Sequence, residues 1–333
     1  VDGDNGSDAN DGRGWGNAVA TIGQAMTLVS SGSEIWVKDI TSGYTVSASI
    51  TVDKPVGIYG GFNGTEIEQG ERPAGAQSEV KSGGADIFTV SSSGVIIANI
   101  IFSQASGYGR AINCQSGSSV VIENCDFNGL TVTGVNGGAI YSTGESDLTI
   151  QNSIFRNNTA SIGGAIYRGT GGSLSVVNSY FFNNSADTSG GAIMVSSAMI
   201  ICNCTFLNNS ATNGRDIFQS IIDGVSVYNS VFYGDVGIYS LYRAFGNLTA
   251  YNNRWDEAPN SGVTTGSDNE VITESPFVSE TYGDSEFLYL KSGTSCINTG
   301  TNSVTGFTLP SKDLAGNARI VGGTVDIGCY EKQ

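Results

Sequence analysis

Short segments in which apolar and polar residues alternate recur along the chain, and many end at an asparagine. The segment before Asn152 shows the pattern, since Leu148 and Ile150 are apolar and Thr149 between them is polar. Such alternation predicts half-buried β-strands. The asparagines lie 23 to 28 residues apart, a repeat length typical of solenoids. The aligned copies are ANIIF (Asn99), ENCDF (Asn124), QNSIF (Asn152), VNSYF (Asn178), CNCTF (Asn203), YNSVF (Asn229) and YNNRW (Asn252).

Each repeat holds three short strands separated by turns rich in asparagine and glycine. GGAI segments at residues 137–140, 163–166 and 190–193 lie in the third strand. This organisation predicts a right-handed parallel β-helix, in which equivalent residues of successive coils stack at about 4.8 Å. We expect the aromatic residue three positions after each asparagine to form an internal stack. The asparagines themselves are expected to form a ladder of side-chain amides between coils.

The chain is therefore predicted to be an all-β protein with one solenoid of roughly ten coils. Residues 1–33 are expected to form an amino-terminal loop and a capping helix, because solenoids need their ends covered. Residues 34–256 would form the parallel β-helix. Residues 257–333, where the repeat fades, would form a connecting segment and a carboxy-terminal cap or side-packed tail.

Composition narrows the possible partners. The net charge of −16 argues against nucleic acid and anionic membrane surfaces, both of which need a basic protein surface. No apolar run approaches the ~18 residues of a spanning helix. Histidine is absent, which removes the commonest general base and most transition-metal sites. Because the sequence begins at Val1 and carries no signal sequence, we expect that a leader has been removed.

The GGAI segments alternate with FRNN, FFNN and FLNN at residues 155–158, 181–184 and 206–209, and these motifs resemble repeats of the chlamydial polymorphic outer-membrane proteins. That resemblance implies a pectin lyase-like β-helix. The two ends resemble secreted or surface proteins of Bacteroidetes with an anchor-associated tail, in DGDNGSDANDGRGW (2–15), YGGFNGTE (59–66) and DLAGNARIVGGTVDIGCYE (313–331). We expect Cys296 and Cys329, the two cysteines of the tail, to form a disulfide, which would suit a periplasmic or extracellular protein.

Lyases of this fold need aspartates on neighbouring coils to hold calcium, together with an arginine or lysine base, whereas glycosidases need two carboxylates about 5–9.5 Å apart. No strand position stacks carboxylates in adjacent coils. Asp126, for example, aligns with Ile101 and Ile154. Arg168 and Arg243 are the best candidate bases and Asp126 the best candidate acid, so a polysaccharide lyase or hydrolase is the alternative function.

The amino-terminal loop carries Asp2, Asp4, Asp8 and Asp11 among glycines, a spacing that can hold Ca²⁺. Asx turns explain the same residues equally well, because aspartate and asparagine side chains accept hydrogen bonds from nearby backbone amides. Calcium is therefore a possible cofactor, with turn structure as the competing interpretation.

Outward positions beside the aromatic stack suggest a platform for a glycan or a protein partner. The candidate ligand-binding residues are Ile154, Tyr180, Phe182, Tyr228, Tyr233 and Tyr251. The competing interpretation, which we favour, is that the tail from Phe277 to Leu290 folds back over this column.

These observations predict a bacterial protein that is secreted, periplasmic or on the outer cell surface. The leading hypothesis is a non-catalytic glycan-binding or adhesin-like protein whose partner is a glycan or a host or cell-surface protein. A purely structural stalk is the third possibility. The oligomeric state stays open.

Overall fold

The computed structural model describes residues 1–220, 224–234, 237–260, 262–304 and 307–333. Its strands form parallel sheets of ten, ten and eight strands, here called sheets A, B and C. Successive strands of one sheet come from successive coils, as in Phe127 beside Phe155 and then Phe181. This confirms the all-β, right-handed parallel β-helix, with eight coils that carry all three sheets and two further partial coils.

The described strands are short, and three make one coil. Sheet A contains Glu34–Lys38, Gly57–Phe62, Val95–Ala98, Ser119–Glu123, Asp147–Gln151, Ser173–Val177, Ala198–Cys202, Val225–Tyr228, Leu248–Tyr251 and Thr264–Thr265. Sheet B contains Tyr44–Val46, Ser78–Ser82, Ile100–Gln104, Asp126–Asn128, Ile154–Arg156, Tyr180–Phe182, Thr205–Leu207, Val231–Tyr233, Arg254–Trp255 and Glu270–Val271. Sheet C contains Ile50–Val52, Phe88–Val90, Ile112–Cys114, Ile140–Ser142, Ile166–Arg168, Ile193–Val195, Ile217–Gln219 and Leu241–Arg243. A fourth sheet has two strands, Thr159–Ile162 and Ser185–Ser189.

Asparagines and glycines set the corners of each coil. Asn152 and Asn157 adopt φ of 50° and 57°, a left-handed conformation that asparagine tolerates better than most residues. In the GGAI segment the two glycines serve different needs. Gly137 has φ of 71°, whereas a Cβ on Gly138 would lie 2.1 Å from the carbonyl oxygen of Gly164 on the next coil. The repeated motif therefore marks a corner where backbones pack too closely for a side chain.

The expected aromatic stack fills the interior. Phe127 and Phe155 have ring centroids 4.5 Å apart and planes within 3°, and the stack continues through Phe181, Phe206 and Phe232. The small residues that follow the asparagines are also buried, as expected. Burial raises the pKa of the Cys125 thiol to about 12, so that this thiol is inert as a nucleophile at neutral pH.

The amide ladder is real, but it lies at a different asparagine from the one predicted. The second asparagine of each NN pair is buried and continues the ladder: Nδ2 of Asn158 donates to Oδ1 of Asn184 at 2.9 Å, and Nδ2 of Asn184 donates to Oδ1 of Asn209 at 3.0 Å. Asn209 donates in turn to Asp216 at 2.9 Å. Among the predicted asparagines, Asn178 donates to Oδ1 of Asn152 at 3.2 Å, and others, such as Asn203, form corners and bind the tail.

A short helix lies at the amino-terminal end of the solenoid, and two of the sheets run beyond residue 256. The amino-terminal cap is the α-helix Ile22–Leu28, which begins where the Thr21 hydroxyl accepts a hydrogen bond from the amide of Gln24. Two 3₁₀ turns, Trp15–Asn17 and Gln69–Glu71, are the other helical segments among the described residues. Sheets A and B extend past Trp255 to Val271, further than the visible repeats. No helix in the described parts of the chain has the length and apolarity needed to cross a membrane.

The ladder yields a stability prediction. Asn184→Ala leaves the Asn158 amide and the Phe155 carbonyl buried without their partners. At about 1–3 kcal/mol for each orphaned group, the free energy of unfolding should fall by about 2–6 kcal/mol in urea denaturation. The control is Asn183→Gly in the same turn, where the side chain is exposed, φ is 53° and glycine fits the backbone. Equal losses in the two variants would show that the ladder contributes nothing.

Candidate binding face

The tail covers the outward side of sheet B, so the predicted platform there is not an open surface. Tyr180 and Phe182 are only 3% and 8% exposed, and they pack with Phe277, Phe287 and Leu290 of the tail. Ile154 and Tyr233 lie at the margin of this cluster and are partly buried. Residues 277–290 thus fold back over this column, as the favoured interpretation predicts.

Buried polar contacts fasten the rest of the tail. The Arg319 guanidinium is buried and donates to the carbonyl oxygens of Gly328 and Cys329, and also to Oδ1 of Asn178 on sheet A's corner. Nδ2 of Asn203 and Nδ2 of Asn229 donate to the tail carbonyls of Asp326 and Thr301 at 3.1 and 2.9 Å. The corner asparagines therefore form a row of attachment points for the tail.

The other two residues of the predicted platform lie on sheet A. Tyr228 and Tyr251 stack with centroids 5.3 Å apart, and both are partly exposed. Tyr228 also packs against the cluster of Val177, Cys202 and Val304, as do Phe307 and Leu309 of the tail. These two rings therefore do not join Tyr180 and Phe182 in one surface.

The two candidate bases face inward. Arg168 is fully buried and donates to the carbonyl oxygens of Ser142, Ser146 and Gly171, so that it fastens the turn between sheets C and A. Arg243 occupies the same strand position as Arg168 and Val195, two coils after Val195. It donates to the carbonyl oxygen of Gly246. Both side chains hold turns, and Arg168 is fully buried whereas Arg243 is partly exposed.

Asp126 is bound by an arginine. Arg156 donates to its carboxylate through Nε at 3.1 Å and Nη2 at 2.8 Å, and the guanidinium lies 4.4 Å from the centre of the Tyr282 ring of the tail. Burial raises the pKa of the Asp126 carboxyl, while the hydrogen bonds and charge of Arg156 oppose that rise. This pair anchors the tail, and the Asp126 side chain is largely covered.

The amino-terminal aspartates form turns. Asp2 accepts hydrogen bonds from the amides of Asp4 and Asn5 and pairs with Lys38 at 2.9 Å. Asp8 accepts from the amides of Ala20 and Thr21 and so links the loop to the capping helix, and Asp11 accepts from the Arg13 amide. Over the described ranges, no three acidic or cysteine side chains are grouped in a way that could hold a metal ion. The turn interpretation accounts for these aspartates.

The expected disulfide is not formed in the structure, where Cys296 and Cys329 are free, buried thiols. Both belong to the cluster beneath the tail, and the amide of Ile327 donates to the carbonyl oxygen of Cys296 at 2.8 Å. Burial raises the pKa of Cys296 to about 11 and that of Cys329 to about 12. The two cysteines contribute to the apolar packing of the tail.

A second aromatic column lies on the outward face of sheet C. Tyr141 aligns with Tyr167, Tyr167 with Met194, Met194 with Phe218, and Phe218 with Tyr242. The four rings are partly exposed, and none of them belongs to the buried clusters of the core or the tail. We call Tyr141, Tyr167, Met194, Phe218 and Tyr242 the ring column.

The geometry of the ring column leaves aromatic surface uncovered. Tyr141 and Tyr167 stack with centroids 5.3 Å apart at 10°, and Phe218 and Tyr242 have the same values. This separation exceeds the ~4.8 Å rise between coils, so the rings stack in a parallel arrangement with a lateral offset. At one end Tyr239 and Phe245 extend the apolar surface and are 44% and 68% exposed.

The other end of the column is polar. Asn113 precedes Tyr141 in the same column. Asn113 donates to the Asp86 carboxylate at 3.0 Å, and Gln115 donates to Oδ1 of Asn113 at 2.8 Å. Arg110 pairs with Asp86 at 3.3 Å and lies 5.0 Å from the centre of the Tyr141 ring. We call Asp86, Arg110, Asn113 and Gln115 the polar network.

Sequence reasoning missed the ring column, although a signal was present. The column occupies the position directly after the isoleucine of each GGAI or related segment, as in GGAIY at Tyr141 and Tyr167 and in DIF at Phe218. Alternation about an inward isoleucine places this residue outside. The motif was interpreted as purely structural because its glycines alone explain its repetition.

Comparisons with known proteins agree with this architecture. Residues 152–167 and 178–196 match the Chlamydia polymorphic membrane protein repeat. The crystal structure of pectate lyase Pel9A superposes with a TM-score of 0.61 at 14% sequence identity, over 99% of this chain and 95% of that chain. No curated protein sequence matches the chain. The chain thus shares the parallel β-helix fold of that lyase and contains two segments that match the polymorphic membrane protein repeat, and at 14% identity the likeness to the lyase concerns the fold alone.

Arg319→Ala should loosen the tail, because it removes the bond from the tail to Asn178 and the donors that hold the carbonyls of residues 328 and 329 within the tail. We expect Tyr180 and Phe182 to become oxidised in hydroxyl-radical footprinting read by mass spectrometry, whereas both are protected in the native protein. Lys312→Ala, which changes an exposed side chain of the same tail, is the control and should leave both protected. Continued protection in Arg319→Ala would show that apolar packing alone holds the tail.

The tail should also loosen as the pH rises. Burial raises the pKa of Glu331 from 4.5 to about 7, with Asp326 and Arg319 as its charged neighbours, and Asp313 accepts a hydrogen bond from the Glu331 amide. The folded tail therefore binds this proton more tightly than the unfolded chain, so the contribution of Glu331 to stability falls between about pH 4.5 and 7. Hydrogen exchange in residues 313–331 should be faster at pH 8 than at pH 5 after correction for intrinsic rates, while residues 119–128 serve as reference. Greater protection at pH 8 would contradict the assignment.

Proposed function

We propose that this protein is a non-catalytic glycan-binding β-helix protein, secreted or held at a bacterial cell surface, and that the ring column is its binding face. The observation that carries the proposal is the alignment of partly exposed rings on one rigid sheet, outside both the core and the tail. Aromatic rings offer sugars an apolar surface, and regular strands fix the positions of those rings before a ligand arrives.

The shape of the face suits a chain-like ligand. Five column positions on successive coils extend over about 19 Å, since neighbouring coils lie ~4.8 Å apart. A glycan lying along the solenoid axis would contact several of these side chains at once, each adding a small contribution. Apolar rings with phenol hydroxyls at their edges suit sugars, which combine apolar faces with hydroxyl groups.

The acidic groups support binding rather than catalysis. Asp126 pairs with Arg156, while Asp216 and Asp256 both pair with the buried Arg215. The side chains of these three aspartates are buried, so none of them is presented beside the rings on the outer surface. A surface or secreted location is part of the proposal and is supported by the polymorphic membrane protein repeat.

Tyr167→Ala and Phe218→Ala should each weaken glycan binding about tenfold, because each removes one ring from the contact surface. The measurement is affinity electrophoresis in gels containing single polysaccharides, with circular dichroism to verify folding. Tyr251→Ala is the matched control, since Tyr251 belongs to an outward stack with the same 5.3 Å separation on sheet A.

The same polysaccharides are assayed for new reducing ends and for the absorbance of unsaturated sugars. Retention without cleavage supports the proposal. Cleavage would establish the alternative, a lyase or hydrolase. If Tyr251→Ala weakens binding and Tyr167→Ala does not, the binding face is misplaced. If no polysaccharide is retained or cleaved, the glycan proposal fails and an adhesin for a protein partner becomes the leading hypothesis.

A further inference from the structure

The polar network lies where a ligand on the ring column would end or continue. Asn113 occupies the same outward column one coil before Tyr141, and the two residues are Cα partners in adjacent strands. The Arg110 guanidinium covers the Tyr141 ring at 5.0 Å and bridges the network to the rings. Polar and aromatic groups therefore form one continuous surface along sheet C.

The network is held in place before any ligand binds. Nε of Arg110 donates to the carbonyl oxygens of Asn136 and Gly137 at 2.9 and 3.1 Å, and its Nη1 donates to Asp86. Asp86 also accepts from the Arg110 amide and from Asn113. Planar groups locked by mutual hydrogen bonds keep their geometry, which lowers the entropic cost of binding hydroxyls.

The charge of this face is already compensated. Arg110 neutralises Asp86, and Arg168 is buried beneath the sheet. The exposed ionisable side chains that flank the column include the acids Glu145 and Asp187. With a net charge of −16 for the whole chain, a polyanion approaching this face meets repulsion and finds its nearest guanidinium paired.

We propose that Asp86, Arg110, Asn113 and Gln115 form a hydroxyl-binding subsite at the end of the ring column, and that the site takes an uncharged glycan rather than a uronic acid polymer. This inference rests on the proposed function. Carboxylate, guanidinium and amide groups supply both acceptors and donors, and sugar hydroxyls need both. The rings bind the apolar faces of the sugars, and the network selects for their hydroxyl groups.

The test compares Asn113→Ala with the native protein in affinity electrophoresis. The gels contain galactomannan, mixed-linkage β-glucan or arabinoxylan as uncharged polymers, or polygalacturonate as the anionic polymer, all at low salt. Asn113→Ala should weaken retention by an uncharged polymer about threefold to tenfold, the effect of one or two hydrogen bonds. Asn128→Ala is the matched control, since it removes an outward asparagine on sheet B that also bonds to the next coil. Tyr167→Ala reports separately on the ring column.

Loss of retention in both Asn113→Ala and Tyr167→Ala, with polygalacturonate not retained, supports the inference. Loss in Tyr167→Ala alone overturns the subsite and leaves glycan binding intact. Retention by polygalacturonate that depends on Tyr167 overturns the charge selectivity but again preserves the proposed function. If the native protein is retained by none of the four polymers, the inference of an uncharged glycan is overturned. The proposed function is then decided by affinity electrophoresis with the other polysaccharides.

Discussion

Constant register between coils is the constraint on which the rest of the structure depends. Each strand pairs in parallel with its equivalent one repeat away, so that residues at one repeat position stand in one column. Each side chain therefore contacts the residues at the same repeat position in the coils above and below, and these are often of the same type. Phenylalanines stack inside, and buried asparagines bond to asparagines. The same register aligns rings on an outward face, where no interior packing requires them.

The outward faces of the three sheets therefore have different roles. Sheet B is covered by the tail, through an apolar cluster that includes Tyr180 and Phe287. The corner beside sheet A provides asparagine side chains that bind tail carbonyls. Sheet C keeps its rings outside these contacts. An aromatic column alone therefore does not identify a binding face, and what covers each column decides its role.

The fold could be predicted because its signals are local and repeated. The spacing of the asparagines and the aromatic residue three positions later predict strand, corner and interior in the seven coils that carry this repeat. The ladder was assigned to the wrong asparagine because the sequence does not distinguish an asparagine at a left-handed corner, such as Asn157 with φ of 57°, from a buried one, such as Asn158. The roles of Arg168 and Asp126 depend on which side of a strand faces a turn or the tail. The contact between Arg156 and Tyr282 joins distant parts of the chain, and such a contact produces no periodic pattern in the sequence.

The buried asparagine ladder has a direction. The side-chain amides of Asn158 and Asn184 each donate to the asparagine of the next coil, and that of Asn209 donates to the Asp216 carboxylate, an acceptor held by Arg215. Each amide also donates to a carbonyl oxygen of the preceding coil. A coil inserted within the ladder would find a donor on one side and an acceptor on the other, so duplication there would leave no polar group unmatched. Insertion between Asn209 and Asp216 would separate the ladder from its terminator. Copy number can therefore change in the middle of the solenoid, by gene duplication or by engineering, while the terminating coil must be inherited intact.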